Sequence, residues 1–348
     1  MSARSGDRVS VVIPSYNRAD LLQHTVDSIL RQTIAPAEII VVDDGSTDDT
    51  QRICAGFPTI VKCLRQNNQG LPAARNTGIR ASTGDWIAFC DSDDLWAENK
   101  LEIQLAALSN TGCGWSVSDF SLIDPDGALL HDGEGGFERI FPVLKKMRLS
   151  ARDHLGQWLR SGSINTPAGP VEIFHGDAFG MFFLGNVALP SSALVSRAII
   201  EKAGLFDVTF RVAEETEFFH RVAAVSPLVV VMSALTRYRI GHPSIVRTNS
   251  ALLSENALRS IERAATLRAQ LTPRERKAFE SGRRYLRVRL AYARLAALDP
   301  AGARDALMAQ SGAAFSLGGV AILIASFFPR ELLSMLHELK RKLRSIRR

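Results

Sequence analysis

Short apolar runs alternate with helically spaced apolar residues along the first third of the chain. Each run is four or five residues long and contains β-branched or aromatic side chains, as buried strands do. The runs are residues 9–13, 39–42, 60–64 and 86–90. The segments between them show helical periodicity and predict helices over residues 20–30, 47–55 and 71–81. Alternating strands and helices predict right-handed βαβ units and an α/β fold.

The periodicity becomes purely helical after about residue 247. Residues 252–271 predict one helix, and Thr272 with Glu275 predicts a capping box that opens a second. A third helix is expected from Asp299. This part of the chain therefore predicts a helical extension that follows the α/β region.

The end of the chain combines an apolar segment with a basic one. Residues 313–328 form an uncharged stretch of 16 residues, which is short of the roughly 20 that a membrane-spanning helix needs. Beyond it, five apolar side chains share one helical stripe and four basic ones lie off that stripe. They are Leu332, Leu336, Leu339, Leu343 and Ile346, with Lys340, Arg341, Arg344 and Arg348. Such a helix suits an anionic membrane surface. A helix that docks on a partner protein and a single membrane span remain alternatives.

Composition and charge narrow the class of protein. The 348 residues are 46% hydrophobic and 22% charged, which is globular and leaves room for a large domain and a smaller one. Four cysteines without a C-x-x-C pair indicate a reducing compartment, and the polar N-terminus has no signal-peptide core. Residues 329–348 hold seven Lys/Arg and two Glu, which leaves a net charge of only +1 for residues 1–328. This distribution argues against nucleic-acid binding and for one local anionic partner.

Three carboxylates follow the fourth apolar run directly. Asp91, Asp93 and Asp94 lie just past the predicted end of a strand, where open α/β sheets bind ligands. Because clustered carboxylates repel each other, a divalent cation that carries a diphosphate would fit among them. The alternative is a solvated acidic turn that caps the next helix. No G-x-G-x-x-G follows the first strand, which makes a dinucleotide-binding dehydrogenase a poor interpretation.

Eight short motifs occur in an order that resembles the inverting glycosyltransferases of family 2, which have a GT-A fold. They are residues 12–17, 42–48, 69–78, 91–94, 185–186, 204–207, 214–221 and 238–245. The resemblance implies a Rossmann-like mixed sheet flanked by helices, in the catalytic domain 1–247. Its donor half would cover about 9–123 and its acceptor half about 124–247. A helical subdomain over 248–310 and the membrane anchor over 311–348 would follow.

The resemblance implies a binding site for a UDP-sugar at the ends of the first strands. Tyr16, after Pro14, would lie against the uracil, and Asp44 beside Asp43 would accept the uracil N3–H. Arg75 would lie near the donor phosphates or the base, Asp91 would contact the ribose or orient the site, and Trp96 would pack under the donor sugar. An ordinary turn tyrosine, a helix-capping aspartate and a solvated helix arginine remain the simpler alternatives.

The resemblance also implies a metal and a base. Asp93, with Asp91, would bind Mn2+ or Mg2+ at the diphosphate, and His242 would complete that contact, although a lone histidine is as often structural. Asp94 is expected to cap the next helix. Family members take the catalytic base from an acidic pair, which here is Glu214 and Glu215. We expect Glu215 to be the base, while Glu214 stays possible and both could simply stabilise a helix N-terminus.

The expected acceptor is a glycan, lipid-linked in the synthesis of a cell-surface polysaccharide, on the cytoplasmic face of the inner membrane. By resemblance Asn186, Ser191 and Ser192 would line the acceptor groove. Glu217 and Arg221, four residues apart on a helix, predict a supporting ion pair. The rival interpretations are a non-catalytic sugar-binding or scaffolding protein of the same fold and a sugar nucleotidyltransferase.

Overall fold

The computed structural model describes residues 7–130, 136–137, 150–167, 169–241, 250–309 and 317–327. The chain divides into two compact units, residues 1–242 and residues 243–348. The first unit is a mixed α/β domain, and the described part of the second unit is helical.

Ten strands and eight helices make up the described part of the first unit. The strands are β1 (Val9–Ser15), β2 (Glu38–Asp43), β3 (Val61–Arg65), β4 (Trp86–Phe89), β5 (Leu95–Trp96), β6 (Trp115–Ile123), β7 (Arg160–Thr166), β8 (Gly169–Gly176), β9 (Ala193–Ser196) and β10 (Leu228–Arg239). The helices are α1 (Ala19–Leu30), α2 (Thr50–Ala55), α3 (Leu71–Ala81), α4 (Lys100–Thr111), α5 (Ala151–Trp158), α6 (Phe179–Phe182), α7 (Arg197–Ala203) and α8 (Glu214–Val225).

All ten strands belong to one sheet, in the order β3-β2-β1-β4-β9-β6-β10-β8-β7, with β5 paired to β10. β1 lies parallel to both β2 and β4, whereas β9 runs antiparallel between β4 and β6. Every residue of β1 and β2 is buried, because helices cover both faces of the sheet there. The carboxyl ends of β1, β2 and β4 therefore meet at one edge of the sheet.

The first four predicted strands and the helix over residues 71–81 are confirmed, whereas the starts of α1 and α2 differ from prediction. α1 begins at Ala19 and α2 at Thr50, against predicted starts at residues 20 and 47. The backbone N–H of Ala19 donates to the carboxylate of Asp48, 3.0 Å away in the loop after β2. Asp48 also accepts from the backbone N–H of Thr50, so residues 47–49 form a turn that precedes α2. A side chain from the loop after β2 thus accepts the hydrogen bond of a backbone N–H at the start of α1.

The described helices of the second unit are α9 (Ser250–Ala264), α10 (Pro273–Ala296), α11 (Pro300–Met308) and α12 (Leu317–Ala325). The capping box of Thr272 and Glu275 is confirmed, and Asp299 caps α11 by accepting from the N–H of Gly302. α9 ends seven residues before the predicted end at 271. Among the described residues, the structure contains no helix with the length and apolar character needed to cross a bilayer. The predicted amphipathic helix over residues 329–348 lies outside the described residues.

Candidate active site

The predicted donor residues gather at the edge of the sheet where β1, β2 and β4 end. Pro14 is buried in β1, and Tyr16 projects from the loop that follows, with 46% of its surface exposed. Asp44 follows β2 directly, and Asp91 lies two residues after β4. The sequence motifs are therefore neighbours in the fold, as parallel pairing of these strands requires.

Asp43 and Asp44 are both buried and both bound by protein groups. Asp44 accepts hydrogen bonds from the backbone N–H groups of Gln69 and Gly70, at 2.9 and 2.8 Å, and from the side-chain amide of Gln66. Asp43 accepts from the N–H of Ser46 and pairs with Arg65 at 3.4 Å. Asp44 thus fixes the loop that opens α3, a role that its place in the sequence did not indicate.

Arg75 is the buried centre of this edge. Its guanidinium is 1% exposed and donates from Nη2 to Asp91 Oδ1 and from Nη1 to Glu214 Oε1, both at 2.8 Å. Burial alone would lower the pKa of Arg75, but the charges of Asp91 and Glu214 outweigh it and raise that pKa above its usual value. Arg75 is therefore a fixed cation between the two acidic motifs.

The contact with Arg75 gives the two glutamates at the start of α8 different environments. Glu214 is buried against Arg75, whereas Glu215 is half-buried, has no cation partner among the described ion pairs, and accepts a 3.3 Å hydrogen bond from the hydroxyl of Thr216. Burial, followed by repulsion from Glu214, raises the pKa of Glu215 to about 8. A carboxyl group with a pKa close to neutrality is suited to proton transfer.

The two ends of the D-x-D motif face different cations. Asp91 contacts Arg75, and its backbone N–H donates to Ser191 Oγ. Asp93 pairs with Arg18 Nε at 3.5 Å, and both side chains are partly exposed. Arg18 lies in the loop between β1 and α1 and was not among the predicted site residues. Two partly exposed carboxylates that already attract a cation match the oxygen ligands that Mn2+ and Mg2+ prefer.

The third carboxylate has a structural role instead of the predicted helix cap. Asp94 is fully buried and accepts from Ser191 Oγ at 2.5 Å and from the backbone N–H of Arg239 at 3.0 Å. Burial, together with the charges of its acidic neighbours, raises the pKa of Asp94 well above its usual range. α4 begins at Lys100, six residues later, which is too far for Asp94 to cap it.

Three residues that were predicted to contact a substrate are buried in the protein core. Trp96 is 4% exposed, with its indole N–H bonded to the carbonyl of Ser191 and the Lys100 ammonium over its ring, so it offers no surface to a sugar. Ser191 and Ser192 are completely buried and hydrogen-bonded to protein groups. Trp96 therefore does not reach a donor sugar in this structure, and Ser191 and Ser192, in the turn just before β9, do not line an acceptor groove.

Of the remaining predicted residues, Asn186 is part of the described structure and His242 is not. Asn186 is half-buried and lies 3.5 Å from the hydroxyl of Thr216, which places it beside the acidic pair. His242 lies outside the described residues. Among the described residues, no group of three or more His, Cys, Asp or Glu side chains forms a metal site. The supporting pair of Glu217 and Arg221 is confirmed at 2.7 Å.

The fold and this edge define a glycosyltransferase domain of the GT-A class. Residues 10–155 match the family described as glycosyl transferase family 2. In fold, the chain is similar to S. aureus TarS, crystallised as residues 1–349 in complex with UDP-GlcNAc, with a TM-score of 0.53 and 14% identity. That likeness covers 86% of this chain and 88% of the other. The predicted family and fold are thereby confirmed.

Two curated relatives show how far the sequence similarity extends. The chain is 34% identical over 118 residues to the UDP-Glc:alpha-D-GlcNAc-diphosphoundecaprenol beta-1,3-glucosyltransferase WfgD of Escherichia coli. It is 45% identical over 98 residues to the glycosyltransferase GlyG of Streptococcus pneumoniae. These matches cover 33% and 27% of this chain, and 47% and 33% of the relatives. The chain thus spans less than half the length of either relative.

Proposed function

We propose that the protein is a metal-dependent, inverting glycosyltransferase that moves a sugar from a UDP-sugar to a hydroxyl of a lipid-linked glycan. The observation that carries the proposal is the contact of Arg75 with both acidic motifs. It joins the D-x-D carboxylate of Asp91 to the acidic pair at the start of α8. This contact supports a site in which the proposed donor-binding groups and the proposed base are neighbours.

The donor would bind across the ends of β1, β2 and β4. The exposed ring of Tyr16 offers a flat apolar face to a nucleobase, and Asp44 retains acceptor capacity beyond its protein hydrogen bonds. Ser15 Oγ is a buried hydroxyl at the end of β1 that has no hydrogen-bond partner among the described residues. A buried polar atom of this kind calls for a partner, and a bound ligand could supply one.

A divalent cation would be held by Asp93 and Asp91. Bound there, Mn2+ or Mg2+ would act as a Lewis acid that stabilises the diphosphate leaving group. Arg18, which now faces Asp93, is placed to share in neutralising the diphosphate, since a guanidinium binds phosphate oxygens readily. The proposed third ligand, His242, belongs to the chain outside the described residues.

Glu215 would be the base. Its carboxylate takes the proton of the acceptor hydroxyl as that oxygen attacks the anomeric carbon. The bond from this carbon to the UDP oxygen breaks, and UDP leaves with the electron pair. One displacement inverts the configuration and needs no covalent intermediate. Glu214, held by Arg75, keeps the α8 terminus in position and raises the pKa of its neighbour.

The acceptor is the part of the proposal that rests most on a relative. WfgD is named for a UDP-sugar donor and a diphosphoundecaprenol-linked sugar acceptor. Carried over to this chain, that chemistry makes the acceptor a lipid-linked glycan in surface-polysaccharide synthesis. The enzyme would then work at the cytoplasmic face of an anionic membrane.

The deciding experiment is calorimetric titration of UDP into the full chain, with Mn2+ and with a chelator. Wild-type protein should bind UDP with Mn2+ and lose most of that affinity with the chelator. Asp93→Asn should abolish the metal dependence. The control, Asp85→Asn, changes an exposed carboxylate at the opposite end of β4 and should bind as wild type does.

Two outcomes would overturn the donor assignment. Binding of GDP or dTDP in place of UDP would keep the fold and remove the proposed uracil contacts. Absence of any nucleotide binding would favour the scaffolding interpretation. If UDP binds as expected, a screen of UDP-sugars for slow hydrolysis identifies the donor sugar.

A further inference from the structure

The last described helix exposes an apolar stripe. Val320, Ile324 and Phe327 follow each other at spacings of four and three residues, so they lie on one side of α12 and its last turn. Their surfaces are 41%, 58% and 70% exposed. Large apolar side chains are rarely exposed together on a protein that faces only water.

The other side of α12 is covered. Ile322 and Ser326 are buried, and the helix contacts α10 and α11. The helix has no charged residue in its nine positions. One side of an entirely apolar helix thus contributes to the core of the second unit, and the other side is left facing outward.

An arginine and a methionine of α11 extend this apolar stripe. The Arg304 guanidinium lies 5.2 Å from the centre of the Phe327 ring and donates to the carbonyl of Ser326 at 2.5 Å. Met308, one helical turn after Arg304, is 68% exposed. An arginine beside exposed apolar side chains can keep its charge in a polar layer while its stem covers apolar surface.

The second unit also carries a strong excess of positive charge. Residues 250–309 contain twelve Lys/Arg and six Asp/Glu, a net charge of +6, whereas residues 1–249 contain 23 and 28, a net charge of −5. The near-neutral body inferred from the sequence is therefore the sum of an acidic part and a basic part.

The glutamates of residues 250–309 are all engaged in ion pairs. All four glutamates of residues 250–309 pair with arginines of the same unit: Glu255, Glu262, Glu275 and Glu280. On α10, Arg274, Lys277 and Arg284 point outward at helical spacing and are exposed. The excess charge is thus on the surface, where an anionic partner can reach it.

We propose that the face formed by Met308, Val320, Ile324 and Phe327, bordered by Arg304, binds the surface of an anionic lipid bilayer. The nine described residues of α12 span about 14 Å at 1.5 Å per residue, against a hydrocarbon core of about 30 Å, which fits a helix that lies in the interface. Apolar side chains enter the headgroup region, Arg304 meets the lipid phosphates, and the net positive charge of the unit adds a longer-range attraction. The choice of a bilayer as the partner rests on the proposed lipid-linked acceptor.

Co-sedimentation of the full chain with vesicles tests this proposal. Wild-type protein should bind vesicles that contain phosphatidylglycerol much more tightly than vesicles of phosphatidylcholine alone, and salt should weaken that binding. Ile324→Ser with Phe327→Ser should reduce binding about tenfold or more. Val208→Ser is the matched control, because Val208 is an apolar residue of the first unit that is 53% exposed. This control should bind as wild type does.

A second variant covers the case in which the double variant does not fold. Phe327→Trp places a fluorophore on the proposed face, and brominated lipids should quench it on vesicle binding. Unquenched emission, or double-variant binding equal to wild type, would overturn the proposal. A wild-type dimer that Phe327→Ser converts to a monomer, without vesicle binding, would assign the face to a second copy. UDP titration of each variant separates this result from the proposed function, since donor binding does not depend on the lipid.

Discussion

Arg75 Nη1 lies 2.8 Å from Glu214 Oε1 in a buried ion pair between residues that are 139 positions apart in the chain. Without this contact, Glu214 and Glu215 would be two equivalent acids at the start of one helix. The contact makes Glu214 a fixed anion, and its charge adds to the burial that raises the pKa of Glu215 to about 8. This difference between the two glutamates is the reason for proposing Glu215 as the base.

Replacing Glu214 with glutamine tests this division of roles. An amide oxygen can still accept from Arg75, but the negative charge beside Glu215 is gone. The pKa of Glu215 should fall, so the rising limb of kcat/KM against pH should move to lower pH. A loss of transfer as complete as that of Glu215→Gln, or a limb that does not move, would contradict the assignment.

Replacing Glu215 with glutamine removes the proposed base. Transfer should fall by about 10²- to 10⁴-fold, the range that general base catalysis contributes, while UDP binding stays at the wild-type level. In wild type, Glu215 must lose its proton to act, so kcat/KM should rise as the pH approaches and passes about 8. Wild-type turnover by Glu215→Gln would show that another group takes the proton.

The raised pKa of Glu215 also has a consequence for stability. The folded protein holds this proton more tightly than the unfolded chain, whose carboxyl has a pKa near 4.5. The free energy of unfolding should therefore fall as the pH rises from about 4.5 to about 8. Glu215→Gln should lose this part of the pH dependence, as measured by urea unfolding at several pH values.

The Arg75→Met variant measures how much the ion pair with Glu214 contributes to the free energy of unfolding. The change leaves Glu214 buried without its cation, which typically costs about 3–5 kcal/mol. Urea unfolding should show this loss, and adding Glu214→Gln should restore part of it. Arg52→Met is the surface control, since the exposed pair of Arg52 and Asp49 should contribute about 1 kcal/mol or less. Equal losses for Arg75→Met and Arg52→Met would show that the buried pair contributes little.

What the sequence could and could not predict follows from the range of the interactions involved. The strands that end at Ser15 and Asp43 and the helix α3 depend on local apolar patterning, and their placement was predicted correctly. The contact of Arg75 with Glu214 depends on where α3 and α8 pack, which no local pattern encodes. The family resemblance predicted which residues belong to the site but did not predict which of them contact each other.

The same limit explains the residues that were placed differently. Trp96 was expected near the sugar because it follows the D-x-D motif, yet β5 pairs with β10 and turns the indole into the core. Arg18 carried no signal, because a single arginine in a polar loop looks like a solvated one. Only the packing of the β1–α1 loop against the D-x-D loop shows that it meets Asp93.

Arg18 should compete with metal for Asp93. In the absence of nucleotide, Arg18→Gln removes the guanidinium 3.5 Å from that carboxylate, so the affinity for Mn2+ should rise. The gain should be no more than about fivefold, because a partly exposed ion pair contributes about 1 kcal/mol at most. Electron paramagnetic resonance of free Mn2+ measures it. Arg31→Gln, which breaks an exposed pair with Glu98, is the control. Unchanged or weaker Mn2+ binding by Arg18→Gln would show that the two cations do not compete.

Ser191 should matter more to the site than its neighbour Ser192. Its hydroxyl accepts from the backbone N–H of Asp91 and donates to Asp94, so it joins both ends of the loop that carries the D-x-D motif. Ser192 Oγ makes only a local hydrogen bond to the carbonyl of Leu189 among the described contacts.

The Ser191→Ala variant leaves the backbone N–H of Asp91 without its acceptor and removes one hydrogen bond of Asp94, which keeps the bond from the N–H of Arg239. The unsatisfied N–H should lower the free energy of unfolding by about 1–3 kcal/mol. Because the position of Asp91 depends on this hydrogen bond, UDP binding in the presence of Mn2+ should also weaken. Ser192→Ala should change both quantities much less. Equal effects of the two variants on UDP binding would mean that other contacts hold the loop that carries the D-x-D motif.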